Sequence, residues 1–257
     1  MTSHRGSTLG ERDARTWQRP VVTLTVAAGW VFAAAATTAA QERRVPVPER
    51  PGAVAAARKV PPEAPGLYVA ADGSGDFRSL QRAIDVAPED GAVISVAPGV
   101  YRERLTITKR NLRLRSPYTD ASRTVIVSDA SKGTAGGTLQ SATVAVRGDG
   151  FCAENLTFPN DYNATHPQLP QGSQAVALLV TGDRASFRNV RVLGNQDTLY
   201  LGTRDCEGPN GQPCTPARQY FERCLVEGNV DYVFGDGQAF FEGCELRNTS
   251  HEVGFVT

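Results

Sequence analysis

Two short segments of the chain each place an aspartate at the start of an apolar, strand-like run. They are residues 196–200, Gln-Asp-Thr-Leu-Tyr, and residues 231–235, Asp-Tyr-Val-Phe-Gly. An ionised carboxylate beside a buried strand is unfavourable unless it is paired or has a function. Asp197 and Asp231 therefore mark a candidate site, and its chemistry depends on whether the fold brings them together.

Two carboxylates one strand spacing apart cannot both ionise easily, so one pKa rises while the other stays low. One group can then act as a general acid and the other as a nucleophile or base. Gln174 and Gln196 would add amide donors for an oxyanion, and the set suits acyl transfer. The sequence has no Gly-x-Ser-x-Gly elbow, and none of its three histidines has a matching Ser or Cys context. This argues against a serine hydrolase.

A structural role for the two aspartates is the alternative: a ladder that caps turns or binds Ca²⁺. Calcium prefers more carboxylate and carbonyl oxygens than the neighbouring Gln, Thr and aromatic residues supply. The aromatic residues Tyr200 and Phe234 are either core residues or a platform for sugar rings. Because side chains alternate along a strand, Phe234 shares a face with Asp231 only if a turn or bulge intervenes.

An internal repeat predicts that the two aspartates are neighbours. Asn155, Asn189, Arg223 and Gly243 occupy equivalent positions of the repeat, because each is followed by alternating residues and then Gly or Asn. Their spacings are 34, 34 and 20 residues. The long intervals contain insertions rich in Pro, Gly, Asn and Gln, at 159–171 and 206–217. Without about a dozen residues of each insertion, the unit is roughly 22 residues, which suits one coil of a parallel β-helix.

Equivalent positions in successive coils of such a helix stack at roughly 4.8 Å. The repeat therefore predicts that Asp197 lies beside Asp231 and that Gln174 lies beside Gln196. A β-sandwich is the rival fold; it fits the short strands but not an even coil length with long loops leaving at one corner. The sequence also predicts one short helix over residues 77–87, with Asp76 as its N-cap and Pro88 at its end.

Composition and charge limit the function classes. The 257 residues carry 27 basic and 27 acidic side chains, which gives no overall signal for nucleic acid or membrane-surface binding. Residues 1–40 have a basic start, an apolar core and small residues, as in an export signal. A membrane anchor is the alternative for that segment. Residues 41–66, rich in Pro, Ala and Arg, are interpreted as a disordered linker, and residues 67–257 as the catalytic domain.

Four segments resemble motifs of the pectin methylesterase (pectinesterase) family. They are residues 99–103 (Gly-Val-Tyr-Arg-Glu), 174–178 (Gln-Ala-Val-Ala-Leu), 196–200 and 231–235. The resemblance implies an all-β fold, a right-handed single-stranded parallel β-helix. It also implies hydrolysis of the methyl ester of galacturonate in pectin, with release of methanol and without a metal or organic cofactor.

Carried over to this sequence, the resemblance assigns a role to each site residue. Asp231 would be the nucleophile that forms an acyl-enzyme. Asp197 would be the general acid that protonates the departing methoxide and then the base for the attacking water. Gln174 and Gln196 would line the oxyanion site. Tyr200 and Phe234 would contact the substrate.

The sequence departs from the family in one respect. The family's Leu-Gly-Arg-Pro-Trp motif, whose arginine hydrogen-bonds the nucleophilic aspartate, does not occur in the 257 residues. The interpretation is a chain truncated at the C-terminus, expected to be poorly stable and nearly inactive by itself.

Two alternative functions remain open beside the esterase. One is a β-helix pectin lyase or polygalacturonase-type enzyme, and the other is a non-catalytic carbohydrate-binding envelope protein.

The expected partner is methylated homogalacturonan (pectin), bound by a monomer. No nucleic acid partner is expected, and no membrane partner once the signal has been cleaved. The expected location is secreted or periplasmic, with outer-membrane association left open.

Five cysteines suit an exported protein with disulfides. Cys224 and Cys244 occupy matching coil positions, so the separation of their Cα atoms is expected to suit a bridge. Cys206 and Cys214 bracket a Gly- and Pro-containing loop that a disulfide could staple. Cys152 is left over and is interpreted as a buried small apolar residue. A zinc site is the competing idea, but the spacings fit no usual zinc pattern.

Overall fold

A computed structural model describes residues 66–168, 173–204, 214–250 and 256. All of them belong to one compact unit. The first strand begins at Gly66, so the domain includes the last residue of the predicted linker. The predicted export signal, residues 1–40, and the rest of the linker lie outside the described residues.

The strands of the described residues form three parallel sheets. The seven-stranded sheet contains β1 Gly66–Val69, β2 Val93–Val96, β5 Arg113–Arg115, β8 Cys152–Glu154, β11 Ala185–Arg188, β14 Arg218–Glu222 and β17 Gln238–Glu242. The six-stranded sheet contains β3 Gly99–Arg102, β6 Thr124–Val127, β9 Thr157–Pro159, β12 Arg191–Leu193, β15 Leu225–Gly228 and β18 Glu245–Asn248. The five-stranded sheet contains β4 Leu105–Ile107, β7 Val144–Val146, β10 Leu178–Val180, β13 Leu199–Leu201 and β16 Val233–Phe234.

From β2 onward the chain visits the three sheets in turn, so each full coil contributes one strand to each sheet. Strands of successive coils pair in parallel, as in Leu178 of β10, which is level with Val144 of β7 and Leu199 of β13. This arrangement confirms the predicted all-β parallel β-helix. It leaves no place for the β-sandwich, whose strands would pair antiparallel.

A column of left-handed residues connects the seven-stranded sheet to the six-stranded sheet. Asn155, Asn189, Arg223 and Gly243 each follow a strand of the seven-stranded sheet and have φ between 50° and 59°. Asparagine and glycine tolerate this conformation best, and the Asn189 Nδ2 donates to the Asn155 Oδ1 at 2.8 Å. These four residues are the equivalent positions of the repeat that the sequence predicted, so its register is confirmed.

The two insertions leave the coil at different corners, and the expectation of a single corner was wrong. The first lies between β9 and β10, where the chain passes from the six-stranded to the five-stranded sheet. The second lies between β13 and β14, where it passes from the five-stranded to the seven-stranded sheet. Residue spacing measures the length of a coil but does not show at which corner the extra residues leave it.

The interior of the coil is a continuous apolar core. Phe187 stacks on Phe221 at a centroid distance of 4.6 Å, and Phe221 stacks on Phe241 at 4.8 Å. Phe151 extends the column, 5.8 Å from Phe187. Because Phe187, Phe221 and Phe241 are level on neighbouring strands, their three rings stack along the helix axis, whereas the Phe151 ring is tilted by 53°.

Three helices accompany the strands: α1 Leu80–Val86, α2 Lys132–Ala135 and α3 Tyr162–Thr165. Two 3-10 turns, Ala121–Arg123 and Leu139–Ser141, complete the described elements. The predicted helix exists as α1, but α2 and α3 are additional single turns. None of the helices in the described ranges has the length and apolar character that a membrane crossing requires.

The predicted N-cap of α1 was wrong. Ser79 caps the helix, since its side chain accepts from the Arg82 N–H at 3.3 Å. The Asp76 carboxylate instead accepts from the Tyr68 N–H at 2.9 Å. Glu103 also serves this helix end, because it accepts from the backbone N–H groups of the first turn at 2.9 and 3.1 Å. Glu103, the last residue of the 99–103 segment, therefore has a structural role in this chain, since it stabilises the start of α1.

The predicted Cys224–Cys244 bridge is not formed, and both residues are free thiols. Their adjacency was correct, since the Cys224 N–H donates to the Cys244 Sγ at 3.3 Å. Both sulfurs instead donate to backbone carbonyls, as the Cys224 Sγ does to Phe187 O at 3.4 Å. Cys152 is also free, and burial raises the pKa of its thiol. Cys214 is disulfide-bonded, and its predicted partner Cys206 lies outside the described residues.

Candidate active site

Asp197 and Asp231 lie on successive coils, immediately before two paired strands of the five-stranded sheet. Leu199 of β13 is level with Val233 of β16, and the Asp197 N–H donates to Val230 O at 3.0 Å. Both aspartates have a left-handed backbone conformation, with φ of 63° for Asp197 and 47° for Asp231. The fold therefore brings the two residues together, as the repeat predicted, and it does so on turns.

The two carboxylates have different surroundings. Asp197 is 7% exposed, whereas Asp231 is half-buried. Burial, followed by the nearby charge of Asp231, raises the pKa of Asp197 to about 6. The positive charge of Lys132 opposes this rise. Within the described part of the chain, the Asp231 carboxylate makes no hydrogen bond or ion pair. One buried acid with a raised pKa thus stands beside a more accessible carboxylate.

The two glutamines lie on adjacent coils at the same end of the sheet. The Gln196 carbonyl accepts from the N–H of Ala175, the residue that follows Gln174, at 3.2 Å. Gln196 also has a buried side-chain oxygen, Oε1, that accepts no hydrogen bond from the described residues. A buried polar atom without a partner needs an explanation, and a bound ligand is one. The predicted adjacency of the glutamines is therefore observed, together with a buried amide oxygen that could accept a hydrogen bond from a ligand.

Tyr200 and Phe234 occupy the outer face of the five-stranded sheet, where they are level with each other. Their rings meet edge to face, with centroids 5.1 Å apart and planes at 60°. The third aromatic residue of these segments, Tyr232, is buried in the core. The left-handed backbone of Asp231 is a break in the strand alternation just before β16, of the kind that the sequence required if Asp231 and Phe234 are to share a face.

Glycines allow the coils to approach closely at this end of the sheet. A Cβ at Gly228 would overlap the side chains of Thr198 and Tyr232, the residues that follow the two aspartates. Gly235 has a φ of 117°, and a Cβ there would overlap the backbone of Leu201. Both positions need glycine, because any side chain would push apart the strands that carry the site.

Two residues near the site were not identified from the sequence. The Lys132 N–H donates to the Gln174 carbonyl at 2.8 Å, which places α2 beside the glutamines. Asn160 is 7% exposed, and its Nδ2 donates to Ala130 O at 2.8 Å and to Val176 O at 3.0 Å. Lys132 begins the single-turn α2 and Asn160 follows β9, both outside any periodic pattern, so the sequence contains no signal that would place them here.

A buried acid beside an accessible carboxylate and two amides can carry out a proton transfer coupled to a nucleophilic attack. The aromatic face next to it can pack against the apolar side of a sugar ring. Among the residues that the structure describes, no three His, Cys, Asp or Glu side chains form a group that could hold a metal ion.

Known proteins resemble this chain in sequence and in fold. The sequence model of the pectinesterase family matches residues 66–254. Pectinesterase 3 of Citrus sinensis is 35% identical over 186 residues, which are 71% of this chain and 29% of that protein. A pectinesterase of Ralstonia solanacearum is 37% identical over 209 residues, which are 72% of this chain and 51% of that protein.

A crystal structure of a pectin methylesterase in complex with a hexasaccharide superposes with a TM-score of 0.59 at 35% identity. The match covers 69% of this chain and 54% of that one. The chain thus spans between 29% and 54% of the length of these three proteins. A family match over most of the described domain, together with two relatives above one-third identity, establishes that the chain belongs to the pectinesterase family.

Proposed function

We propose that this protein hydrolyses the methyl esters of galacturonate in pectin, through an acyl-enzyme on Asp231, and releases methanol. The observation that carries the proposal is the pair of unequal carboxylates on adjacent coils. Asp197 is buried with a raised pKa, and Asp231 is accessible beside it. Membership of the pectinesterase family and the hexasaccharide bound to a related structure support pectin as the substrate.

In the first half of the reaction, a carboxylate oxygen of Asp231 attacks the ester carbonyl carbon. The tetrahedral intermediate collapses, and the bond to the methoxy oxygen breaks. Asp197, protonated because its pKa is raised to about 6, gives its proton to this oxygen, and methanol leaves. The product is a mixed anhydride between Asp231 and the galacturonate carboxyl group.

In the second half, water attacks the galacturonate carbonyl of the anhydride. Asp197, now ionised, accepts a proton from this water, and the Asp231 carboxylate is the leaving group. The galacturonate leaves as a free acid, and Asp197 is protonated again for the next cycle. A carboxyl group whose pKa lies near the working pH can serve in both directions, which is the requirement on Asp197.

The neighbouring residues support this chemistry in different ways. The amide groups of Gln174 and Gln196 stabilise the oxyanion of each tetrahedral intermediate. Tyr200 and Phe234 form the wall on which a sugar ring packs beside the ester. The Lys132 charge keeps the Asp197 pKa from rising further, so that the acid can still ionise during turnover.

Methanol release from methylated pectin tests the proposal, with the full-length protein and its Asp231→Asn variant. Asparagine tolerates the left-handed backbone of Asp231, so this variant removes the nucleophile without a new backbone strain. The expected result is methanol from the wild type and none from the variant. Formation of new reducing ends or unsaturated sugars without methanol would instead show a hydrolase or a lyase and refute the proposal.

The same proposal includes a monomer that is exported to the periplasm or the medium. The support is the export-signal pattern of residues 1–40 and the location of pectin outside the cell that degrades it. Fractionation of the producing cells, with size-exclusion chromatography of the product, tests both points. Activity confined to the cytoplasm would contradict the proposed export, and a dimer would contradict the proposed monomer.

A further inference from the structure

The side chain of Asn160 joins several backbone segments that are distant in sequence. Asn160 follows β9 and is 7% exposed. Its Nδ2 donates to Ala130 O at 2.8 Å, to Val176 O at 3.0 Å and to Ser141 O at 3.3 Å. Its Oδ1 accepts from the Tyr162 N–H at 3.1 Å. Both polar atoms of this buried amide therefore have partners, as burial requires.

The orientation of the Asn160 amide follows from its partners. Three of them are carbonyl oxygens, which only accept, and the fourth is a backbone N–H, which only donates. The reversed amide would place Oδ1 against three acceptors and Nδ2 against a donor. Leucine has a similar size but supplies no donor, so the three carbonyls would lose their shared partner in Asn160→Leu.

The Asn160 contacts span a connection that is long in this coil and short in the next one. Residues 194–198 connect β12 to β13, whereas residues 160–177 connect β9 to β10. Asn160 and Val176 are 16 residues apart, so the chain alone does not fix one relative to the other. The side-chain amide supplies the link that the shorter connection supplies in the next coil.

Two of these contacts hold the backbone at Gln174. Ala130 is two residues before Lys132, whose N–H donates to the Gln174 carbonyl at 2.8 Å. Val176 is two residues after Gln174. Asn160 therefore binds both of the segments that meet in the contact between Lys132 and Gln174.

Ser141 closes a ring of hydrogen bonds with Asn160 and Val176. Ser141 is buried, its carbonyl accepts from Asn160, and its Oγ accepts from the Val176 N–H at 3.0 Å. The Val176 carbonyl in turn accepts from Asn160. The neighbouring Ala175 N–H donates to Gln196 O at 3.2 Å, so the segment that this ring holds also contacts the second glutamine of the site.

We propose that Asn160 is a positioning residue for the oxyanion site. Its hydrogen bonds hold the backbone at Gln174 so that the Gln174 amide meets the oxyanion of each tetrahedral intermediate. The inference rests on the proposed function, in which Gln174 has that role. Such donors are effective because they are in place before the charge develops, and a displacement of about 1 Å can lower a rate by about 100-fold. Loss of the Asn160 contacts should therefore lower kcat, whereas Tyr200 and Phe234, on β13 and β16, keep the wall for the sugar ring and leave KM nearly unchanged.

A double-mutant cycle in the full-length protein tests this role. Asn160→Leu, Gln174→Ala and the double variant are compared with the wild type in the kinetics of methanol release from methylated pectin. Asn160→Leu should lower kcat by about 10–100-fold, with KM within about twofold of the wild type. In the Gln174→Ala background the same change should lower kcat by less than about threefold, because the amide that Asn160 positions is already gone.

Thr157→Val is the matched control. Thr157 is buried on β9, three residues before Asn160, and its Oγ1 donates to Ala121 O at 2.8 Å. Valine keeps the shape of threonine and removes one buried hydrogen bond to a carbonyl. Thr157→Val should lose stability in urea unfolding, as Asn160→Leu does, but should leave kcat within about twofold of the parent in both backgrounds.

Hydrogen exchange of the Ala175 and Val176 amides gives a second readout that does not depend on turnover. Exchange at both amides should be faster in Asn160→Leu and unchanged in Thr157→Val, because only the first variant releases the segment around Gln174. If the leucine variant does not fold, Asn160→Ser replaces it in every measurement. Serine keeps one hydroxyl donor, so its loss of kcat should be smaller.

The outcomes separate this inference from the proposed function. Equal losses of kcat from Asn160→Leu in the two backgrounds, an equal loss in Thr157→Val, or unchanged exchange at Ala175 and Val176 would each overturn the positioning role. Methanol release by the wild type together with any of these results keeps the esterase without that role. No methanol from the wild type overturns the esterase, and with it the catalytic purpose of the Asn160 contacts.

Discussion

Replacement of Asp197 by asparagine should stabilise the folded protein at neutral pH while it removes activity. The pKa of Asp197 is raised from 3.8 to about 6, so the folded state holds this proton more tightly than the unfolded state does. The wild type therefore has its full stability below about pH 4 and loses part of it as the pH rises through about 6. Asparagine is neutral at every pH, so the variant does not lose this part of its stability as the pH rises.

The size of the effect follows from the two pKa values. A difference of about two pH units, at about 1.4 kcal/mol for each unit, corresponds to about 3 kcal/mol. The gain should persist because no hydrogen bond to the Asp197 carboxylate is lost within the described residues. Asparagine also tolerates a φ of 63°, whereas alanine would add backbone strain of about 1–2 kcal/mol.

Urea unfolding of both proteins across a pH series is the assay. The free energy of unfolding of Asp197→Asn, minus that of the wild type, should grow by about 2–3 kcal/mol between about pH 4 and about pH 8. Asp236→Asn is the control of opposite sign. Hydrogen bonds from Thr203, at 2.9 and 2.8 Å, hold the pKa of Asp236 below its usual range. That variant should be less stable than the wild type by an amount that is constant above about pH 5 and that shrinks as the pH falls below about 4.

A gap between Asp197→Asn and the wild type that stays constant with pH, or shrinks, would refute the reasoning. The experiment also distinguishes the proposed catalytic role of Asp197 from a structural one. In a structural ladder the carboxylate would stabilise the fold, and its removal would be harmful at every pH above its pKa. A variant that is more stable and loses activity by about 10²–10⁴-fold would identify a charge maintained for chemistry.

Three further substitutions test the supports of the site and the core. Glu103→Gln should lower the free energy of unfolding by about 1–3 kcal/mol, since the charged acceptor at the start of α1 is lost; thermal unfolding measures it. Asn160→Leu should cost about 1–3 kcal/mol and reduce methanol release, because the carbonyls of Ala130 and Val176 lose their donor. Phe187→Ala should cost about 3–5 kcal/mol by urea unfolding, as it opens a hole in the ring stack, whereas Tyr118→Ala at an exposed ring should cost far less. Equal losses in these last two variants would contradict the assigned core.

The repeat could be predicted from the sequence because its physical cause is local. A left-handed turn residue is needed once per coil, and the chain meets this need with Asn155, Asn189 and Gly243. Such residues stand out in a sequence because few types tolerate the conformation. The register of the coils, and with it the adjacency of Asp197 and Asp231, followed from this column alone.

The remaining features depend on contacts that are distant in sequence. Asp76 precedes α1 in the sequence, as an N-cap would, but its carboxylate accepts a hydrogen bond from the Tyr68 N–H of β1. Lys132 precedes Asp197 by 65 residues and reaches the site through the backbone of α2. Cys224 and Cys244 are adjacent as predicted, yet their thiols donate to carbonyls of neighbouring coils. Adjacency could be read from the repeat, but the choice among competing partners could not.

The two aspartates use a conformational property that the coil needs elsewhere. Asp197 and Asp231 are left-handed, as are the asparagines that turn the chain between the other two sheets. Aspartate and asparagine share this tolerance, so a carboxylate at such a turn adds little backbone strain. The free energy needed for the site is therefore electrostatic, and it is concentrated on Asp197, whose burial raises its pKa. A parallel β-helix can thus carry two carboxylates of unequal burial at its turns while its three sheets and its core keep an ordinary repeat.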